Sequence, residues 1–133
     1  MILADSNVYI DLIRSRRDPR AVRAPYVRAG SLLTCDVIRL EVLRGVVAPD
    51  RRAELEEFFD LIPSPSLGPD AWRMALDLGW RLDRAGNVLP SMDLVIAACA
   101  LVHRAAVVST DRHFASVPGL KLWTTLPAPA GFE

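Results

Sequence analysis

The chain has 133 residues, of which 51% are hydrophobic and 24% charged, a composition typical of one folded domain rather than of a disordered chain. Its formal net charge is zero, so any contact with nucleic acid needs a local cluster of arginines. No apolar run approaches the ~20 residues of a membrane-spanning helix, and the N-terminus lacks the pattern of a signal peptide. We therefore expect a cytoplasmic protein with a single domain over residues 1–133, ending in an irregular tail from about residue 126.

Short apolar runs alternate along the chain with longer amphipathic segments. The apolar runs predict strands at residues 1–4, 31–34, 61–63, 106–109 and 120–123. The other segments predict helices at residues 6–14, at 36–46, from 49 through RRAELEEFF, from 69 to near 86, and from 91 onwards. An Arg-rich segment between the first two of these helices is bracketed by Pro19 and Pro25 and ends at Gly30. This alternation indicates an α/β fold, in which a parallel sheet carries helices on both faces.

Acidic residues follow three of the predicted strands. Asp5 follows the first strand, Asp36 the second, and Asp111 the strand at 106–109. The carboxyl ends of parallel strands share one edge of a sheet, where α/β proteins bind ligands. We therefore expect Asp5 and Asp111 to lie close together if their strands are neighbours. Asp93, at the start of an apolar helix, and Glu41, in the helix after Asp36, would reach the same edge.

Each of these acids also has an ordinary explanation as a helix cap. Aspartate is favoured at helix N-termini, where it is worth about 0.3–1 kcal/mol. Asp36 keeps that interpretation, as does Ser91 before the last helix, whereas Glu41 lies a turn beyond the cap position. Four carboxylates in one crevice repel one another unless a cation binds between them. Oxygen ligands suit Mg²⁺ or Mn²⁺, and neither His103 nor His113 is taken as a ligand.

A carboxylate-bound divalent cation in a cleft with arginines indicates hydrolysis of phosphodiesters. The cation would lower the pKa of a bound water and offset the negative charge that grows on the phosphate. Arginines close to the acids in sequence are candidates to bind substrate phosphates, although each also fits a solvated helix surface. They are Arg44, Arg81, Arg84 and Arg112.

Other activities of α/β proteins fail at their motifs. A haloacid-dehalogenase-type phosphatase needs D-x-D after its first strand, where this chain has Asp5, Ser6 and Asn7. A receiver domain needs adjacent acids after the first strand and a lysine at the end of the last one, whereas Lys121 lies inside that strand. No G-x-G-x-x-G follows a strand, which disfavours dinucleotide binding.

Four segments together resemble the PIN-domain ribonucleases, and specifically the VapC-type toxins of bacterial toxin–antitoxin pairs. They are DSNVYID from Asp5, RLEVLRG with Glu41, RAGNVLPSMDLVIAACAL with Asp93, and VVSTDRHFASVPGLKLW with Asp111. They occur in the family's order over nearly the whole chain. The resemblance implies a three-layer α/β/α sandwich with a central, mainly parallel sheet of four to five strands. It also implies a Mg²⁺- or Mn²⁺-dependent endoribonuclease.

The same resemblance implies roles for individual residues. Asp5, Asp93 and Asp111 would hold the metal, and Glu41 would be a fourth acid that aligns groups or ligates through water. His113 stands where many relatives have an aspartate, so the chain departs from the family's acidic pattern at that position. The supporting polar residues would be Ser6 or Asn7, Ser91 and Ser109.

The resemblance further implies an RNA substrate, a VapB-type antitoxin that lies along an apolar groove, and a homodimer. ELEEFFDLI and the helix with Trp72 and Trp80 are candidate apolar surfaces, although Phe58, Phe59 and these tryptophans also fit the core or a dimer interface. The alternative is a catalytically silent PIN fold that only binds a partner. Loss of one of the four acids would favour that alternative, and all four are present.

Overall fold

The computed structural model describes residues 1–126, in which a four-stranded parallel sheet is flanked by six helices. The strands are β1 (Ile2–Ala4), β2 (Leu32–Leu33), β3 (Ala106–Val108) and β4 (Leu122–Trp123). The helices are α1 (Ser6–Arg14), α2 (Pro19–Arg28), α3 (Asp36–Leu43), α4 (Pro49–Asp60), α5 (Pro69–Arg84) and α6 (Ser91–Val102), and a 3₁₀ helix spans Arg112–Ser116. This architecture confirms the predicted α/β/α sandwich.

The strand order β2-β1-β3-β4 places β1 and β3 at the centre of the sheet. Ile2 of β1 pairs with Leu32 on one side and with Ala106 on the other. After β1 the chain forms β2 on one side of it and later returns to form β3 on the opposite side. At such a reversal a crevice opens outside the carboxyl ends of the two strands, and ligands bind there. The reversal lies where β1 and β3 end, beside Asp5.

The central strands and α6 form the core. Every residue of β1 and β3 is buried, as expected for a parallel sheet covered on both faces. In α6, six consecutive residues from Val95 to Ala100 are buried, and three of them are alanines. A Cβ atom on Gly79 of α5 would lie 3.0 Å from Leu94 Cδ1, so α5 approaches α6 closely. This packing holds the first turn of α6, which carries Asp93, on a rigid element.

The predicted strand at residues 61–63 is wrong. Leu61 is the C-cap of α4 and donates its backbone N–H to Phe58 O, and Ile62 N donates to Phe59 O. Pro63 has no N–H to donate, and its carbonyl accepts a single bond from Thr34 N at 3.0 Å. This apolar run therefore follows the end of a helix and does not form a strand, because proline cannot donate a hydrogen bond to a neighbouring strand.

Several predicted helix boundaries also shift. The N-caps of α3 and α6 are Cys35 and Pro90, so Asp36 and Ser91 are the first helical residues rather than caps. Helix α3 ends at Leu43 and not near residue 46, and α2 runs through Pro25. Helix α5 stops before Gly86, as predicted, because Gly86 adopts a φ of 81° that favours glycine.

Residues 127–133, which hold nearly all of the predicted irregular tail, lie outside the described residues. Between residues 1 and 126 no helix combines the length and the apolar character that crossing a membrane requires.

Candidate metal centre

Asp5 lies at the carboxyl end of β1, where the strand passes directly into α1. Its backbone N–H donates to Val108 O at 2.9 Å, which extends the pairing with β3 by one residue. Its carboxylate accepts hydrogen bonds from Ser6 N at 2.8 Å and Ser109 Oγ at 2.9 Å. Burial raises the pKa of the Asp5 carboxyl despite these hydrogen bonds, and the negative charge of Asp111 raises that pKa further. Asp5 is thus a buried, oriented carboxylate that resists being charged.

Ser109 connects the ends of β1 and β3. Its fully buried hydroxyl donates to Asp5 Oδ2 and accepts from Asn7 Nδ2 at 3.2 Å and from Asp111 N at 3.0 Å. One hydroxyl therefore orients the Asp5 carboxylate and fixes the backbone of Asp111. Of the predicted supporting residues, Asn7 and Ser109 are therefore beside the acids.

Glu41 reaches the same crevice from α3. Its Oε1 accepts a hydrogen bond from Ser6 Oγ at 3.1 Å, and the same hydroxyl lies 3.4 Å from Asp5 Oδ1. Ser6 is therefore the direct link between Asp5 and Glu41, while Asn7 acts through Ser109. Sequence reasoning left these two neighbours undecided because both follow the same strand.

Asp93 is the third residue of α6 and is half-buried. Burial is the largest cause that raises the pKa of its carboxyl, to about 6. The negative charges of Asp5, Asp111 and Glu41 raise it as well, and His113 lowers it. The four predicted acids therefore repel one another across a single crevice, as the sequence indicated.

Asp111 and His113 form the third side of the crevice. Asp111 caps the 3₁₀ helix and accepts a hydrogen bond from His113 N at 2.9 Å. His113 Nδ1 also lies 2.9 Å from Asp111 Oδ1. Atoms of Asp93, Asp111 and His113 that could bind a metal all lie within 4.8 Å of one another. Sequence analysis left His113 out of the ligand set, and the structure places it beside Asp93 and Asp111. This position depends on the 3₁₀ turn after β3, which the sequence patterns did not predict.

The other predicted site residues lie in different surroundings. Ser91 is exposed at the start of α6, and no hydrogen bond joins its side chain to an acid within residues 1–126. Arg84 stacks on the Trp80 ring at 4.6 Å, and Arg44 is an exposed C-cap of α3. Arg112 lines a cavity of about 330 Å³ together with His113. Arg112 is thus close to His113, although none of the acids lines that cavity.

The donor set of this crevice fits a divalent cation. Asp93 and Asp111 bring carboxylate oxygens within 4.8 Å of each other, and Asp5 lies near enough for its charge to act on Asp93. Carboxylate oxygens are preferred by Mg²⁺ and Mn²⁺. Burial and the negative charges of the neighbouring acids raise the pKa of Asp93, and a bound cation would oppose both by favouring the charged carboxylate. The described residues therefore could hold a metal at the carboxyl ends of β1 and β3.

Comparison with known proteins identifies the class. The family model of the PIN domain matches residues 2–120. The chain therefore belongs to the PIN domain family. Its curated relatives include Ribonuclease VapC4 of Mycobacterium tuberculosis, 30% identical over 127 residues, which are 92% of this chain and 95% of the relative. VapC ribonuclease Mb1587 of Mycobacterium bovis is 29% identical over 120 residues, 86% of this chain and 89% of the relative. The resemblance to the VapC group is thereby confirmed.

Solved structures share the fold. The DNA-bound VapBC of Salmonella typhimurium superposes with a TM-score of 0.77 at 20% identity, covering 92% of this chain and 96% of that one. VapBC2 from Rickettsia felis, bound to a promoter DNA fragment, gives a TM-score of 0.76 at 18% identity, over 92% of this chain and 98% of that one. At these identities the similarity establishes the fold alone.

Proposed function

We propose that the chain is a metal-dependent endoribonuclease toxin of a toxin–antitoxin pair, cleaving RNA phosphodiester bonds with water activated on Mg²⁺ or Mn²⁺. One arrangement carries the proposal: metal-binding atoms of Asp93, Asp111 and His113 lie within 4.8 Å of one another. Asp5 and Glu41 are near enough that their charges, together with burial as the larger cause, raise the pKa of Asp93 to about 6. The curated relatives are named as ribonucleases, which supports RNA as the substrate.

Each acid has a distinct task in this mechanism. Asp5, Asp93 and Asp111 would hold the cation, and Asp93 must lose its proton to do so. When bound, the cation would lower the pKa of a water and stabilise negative charge on the phosphate. Glu41 is held at Oε1 by Ser6, so its second oxygen is the atom that would accept a hydrogen bond from the attacking water.

The remaining groups would orient the acids and the substrate. Ser109 holds Asp5 Oδ2 in place and prevents that carboxylate from rotating away from the crevice. Arg112, which lines a cavity together with His113, would bind a phosphate of the RNA. Arg44 and Arg84 are candidates only for phosphates farther along the strand, because one is an exposed helix cap and the other stacks on Trp80.

A VapB-type antitoxin is the proposed protein partner. The structural neighbours are VapBC complexes, which supports a partner of this kind. A cavity of about 510 Å³ between α2 and α4 has the apolar residues Ala24, Val27, Phe58 and Leu61 in its wall. It includes part of the predicted segment ELEEFFDLI and would accept apolar side chains of the antitoxin.

A homodimer is the proposed assembly. On α5 the side chains of Trp72, Leu76 and Trp80 are 50%, 69% and 62% exposed. Their spacing of four residues places them in one stripe along the helix, and an exposed apolar stripe favours contact with another protein. Phe58 and Phe59 are buried, so we propose the α5 stripe, and not these phenylalanines, for the dimer contact.

Expression of this gene alone tests the proposed activity. We would compare growth and sequence total RNA for new 5′ ends in the wild type, in Asp93→Asn and in a matched control, Asp36→Asn. Asp36 is exposed in the first turn of α3, and its carboxylate meets Ser64 Oγ at 3.5 Å. We expect growth arrest and discrete new ends in the wild type and the control, and neither in Asp93→Asn.

Two results would contradict the proposal. Arrest by Asp93→Asn as strong as by the wild type would show that toxicity does not depend on the acids. No cleavage by a folded wild type, tested on total RNA from several bacterial hosts with Mg²⁺ or Mn²⁺, would favour the catalytically silent, partner-binding alternative.

A further inference from the structure

We infer that His113 is itself a ligand of the proposed metal centre, so that the cation binds to an imidazole nitrogen together with carboxylates. This inference rests on the proposed function and changes the donor set from oxygen alone to oxygen and nitrogen. It also assigns a role to a position that the acid pattern leaves open.

Distances within the crevice are the first support. Metal-binding atoms of Asp93, Asp111 and His113 lie within 4.8 Å of one another. Metal–ligand bonds of about 2.0–2.2 Å let two ligands of one ion lie up to about 4.4 Å apart. The ligand atoms of the three side chains are therefore almost close enough to bind one ion. Small rotamer changes would bring them within bonding distance of it.

The backbone around His113 is the second support. Asp111 Oδ1 accepts a hydrogen bond from His113 N at 2.9 Å, which closes the first turn of the 3₁₀ helix. The position of His113 beside the acids is thus set by the backbone. Its side chain is exposed and also lines the neighbouring cavity, so a cation arriving from solvent can reach the ring.

A competing role for His113 is to orient Asp111. His113 Nδ1 lies 2.9 Å from Asp111 Oδ1, a distance that fits a hydrogen bond in the metal-free protein. In that role the imidazole would act through Asp111 and never touch the cation. A ligand and an orienting residue differ in one observable property, which is direct bonding between nitrogen and metal.

An imidazole ligand changes which metals the site prefers. Mg²⁺ is a hard cation that favours oxygen, whereas nitrogen ligands favour transition metals, with affinity rising from Mn²⁺ to Co²⁺ and Ni²⁺. The site should therefore bind Co²⁺ over Mg²⁺ more strongly than an all-carboxylate site would. Replacing His113 by aspartate should lower the ratio of Co²⁺ to Mg²⁺ affinity by about tenfold or more.

The chain is well suited to a direct test because it has two histidines, His103 and His113. His103 is exposed at the C-cap of α6 and supplies the matched control. We would load untagged protein with Mn²⁺ and record pulsed electron paramagnetic resonance for coupling to imidazole nitrogen. The variants are His113→Gln, His113→Asp, His103→Gln and Asp5→Asn, with Mn²⁺, Co²⁺ and Mg²⁺ affinities measured by titration calorimetry.

We expect nitrogen coupling in the wild type and in His103→Gln, and none in the two His113 variants. His113→Asp, which supplies a carboxylate at the same place, should retain Mn²⁺ and show the lowered Co²⁺ to Mg²⁺ ratio even if His113→Gln fails to fold. Bound Mn²⁺ that is sensitive to Asp5→Asn but shows no coupling to His113 would overturn this inference and leave the proposed function standing. No Mn²⁺ binding by the wild type would overturn both.

Discussion

Asp5 and Arg23 are both charged side chains that are only 4% exposed, yet their surroundings differ completely. Asp5 accepts hydrogen bonds from Ser6 N and Ser109 Oγ. Arg23 places its guanidinium carbon 5.8 Å from the centroid of the Tyr9 ring, and its Nε has no hydrogen-bond partner in the described part of the chain. Burial raises the pKa of Asp5 and lowers that of Arg23, in each case towards the neutral form.

The difference shows that burial of a charge does not by itself mark a functional site. Asp5 lies with three other acids, and the hydrogen bonds orient its oxygens towards one crevice. Arg23 lies against an aromatic ring and lines a cavity of about 570 Å³, an arrangement that contributes about 0.5–2 kcal/mol of cation–π attraction. Neutralising Asp5 should therefore remove function, whereas neutralising Arg23 should affect stability alone.

The substitution Asp5→Asn should have the largest effect. It keeps the shape of the side chain but removes one of the charges that would bind the cation. We expect RNA cleavage to fall by about 10³-fold or more. The melting temperature of the metal-free protein should stay the same or rise, because burial already disfavours the charged form of Asp5. Cleavage assays and thermal unfolding of the purified variant measure both.

Arg23→Met is the matched comparison, since it neutralises the other buried charge. Its cleavage rate should stay within about twofold of the wild type, because the Asp5 crevice is untouched. If Asp5→Asn cleaves RNA normally, or if Arg23→Met loses cleavage while folded, the distinction between the two buried charges is wrong.

The next largest effect should come from Ser109→Ala. This change removes the hydroxyl that joins Asp5, Asn7 and Asp111. We expect Mn²⁺ affinity to weaken by about 10- to 100-fold and stability to fall by about 1–3 kcal/mol. Ser64→Ala, which removes only the long contact to Asp36, is the control and should stay within about 0.5 kcal/mol. Calorimetric titration and urea unfolding check both values, and equal Mn²⁺ affinity in the two variants would refute the role of Ser109.

The raised pKa of Asp93 predicts a dependence on pH. Because the pKa rises from its ordinary 3.8 to about 6 on folding, the neutral side chain favours the folded state. The benefit is complete below about pH 4 and is lost as the pH rises through 6. Metal-free Asp93→Asn, which stays neutral, should therefore be more stable than the wild type at pH 7.5, by on the order of 1–2 kcal/mol after solvent screening.

That advantage of Asp93→Asn should shrink as the pH is lowered from 6 towards 4, which thermal unfolding in EDTA measures. Mn²⁺ affinity of the wild type should fall over the same range, because protons compete for the Asp93 carboxylate. A difference in stability that does not change with pH would mean that the pKa of Asp93 is not raised.

The smallest predicted effect concerns Tyr9, the residue whose ring lies against Arg23. Tyr9 is fully buried, and its hydroxyl has no hydrogen-bond partner among residues 1–126. Tyr9→Phe removes this unsatisfied group and keeps the ring contacts with Phe58 and Phe59, at 6.4 and 5.2 Å between centroids. We expect a gain of about 1 kcal/mol in urea unfolding with RNA cleavage unchanged. A loss of stability would show that the hydroxyl is bonded in solution.

Local patterns predicted much of the fold and part of the site. Asp5 and Asp111 could be placed at one edge of a sheet because each directly follows an apolar run, and parallel strands align their ends. The same patterns failed at residues 61–63, where Leu61 is the C-cap of α4 and Pro63 has no N–H to donate to a neighbouring strand. Short apolar runs do not distinguish a strand from the end of a helix.

His113 could not be found in this way. Its contact with Asp111 depends on the 3₁₀ turn that follows β3, and this turn was absent from the predicted elements. The arginines show the same limit: Arg84 and Arg112 were equal candidates by sequence, but Arg84 stacks on Trp80 and Arg112 lines a cavity with His113.

The sequence by itself determined the parallel α/β fold and the strand ends at which acids occur, because both follow from short-range periodicity. Tertiary structure alone decided that Ser109 donates to Asp5 across 104 residues. It also decided that His113 lies beside Asp93 and Asp111, and how closely the acids expected at one edge approach one another. The physical reason is that charge interactions and hydrogen bonds depend on distance, and the strand order sets the distances between residues far apart in the chain.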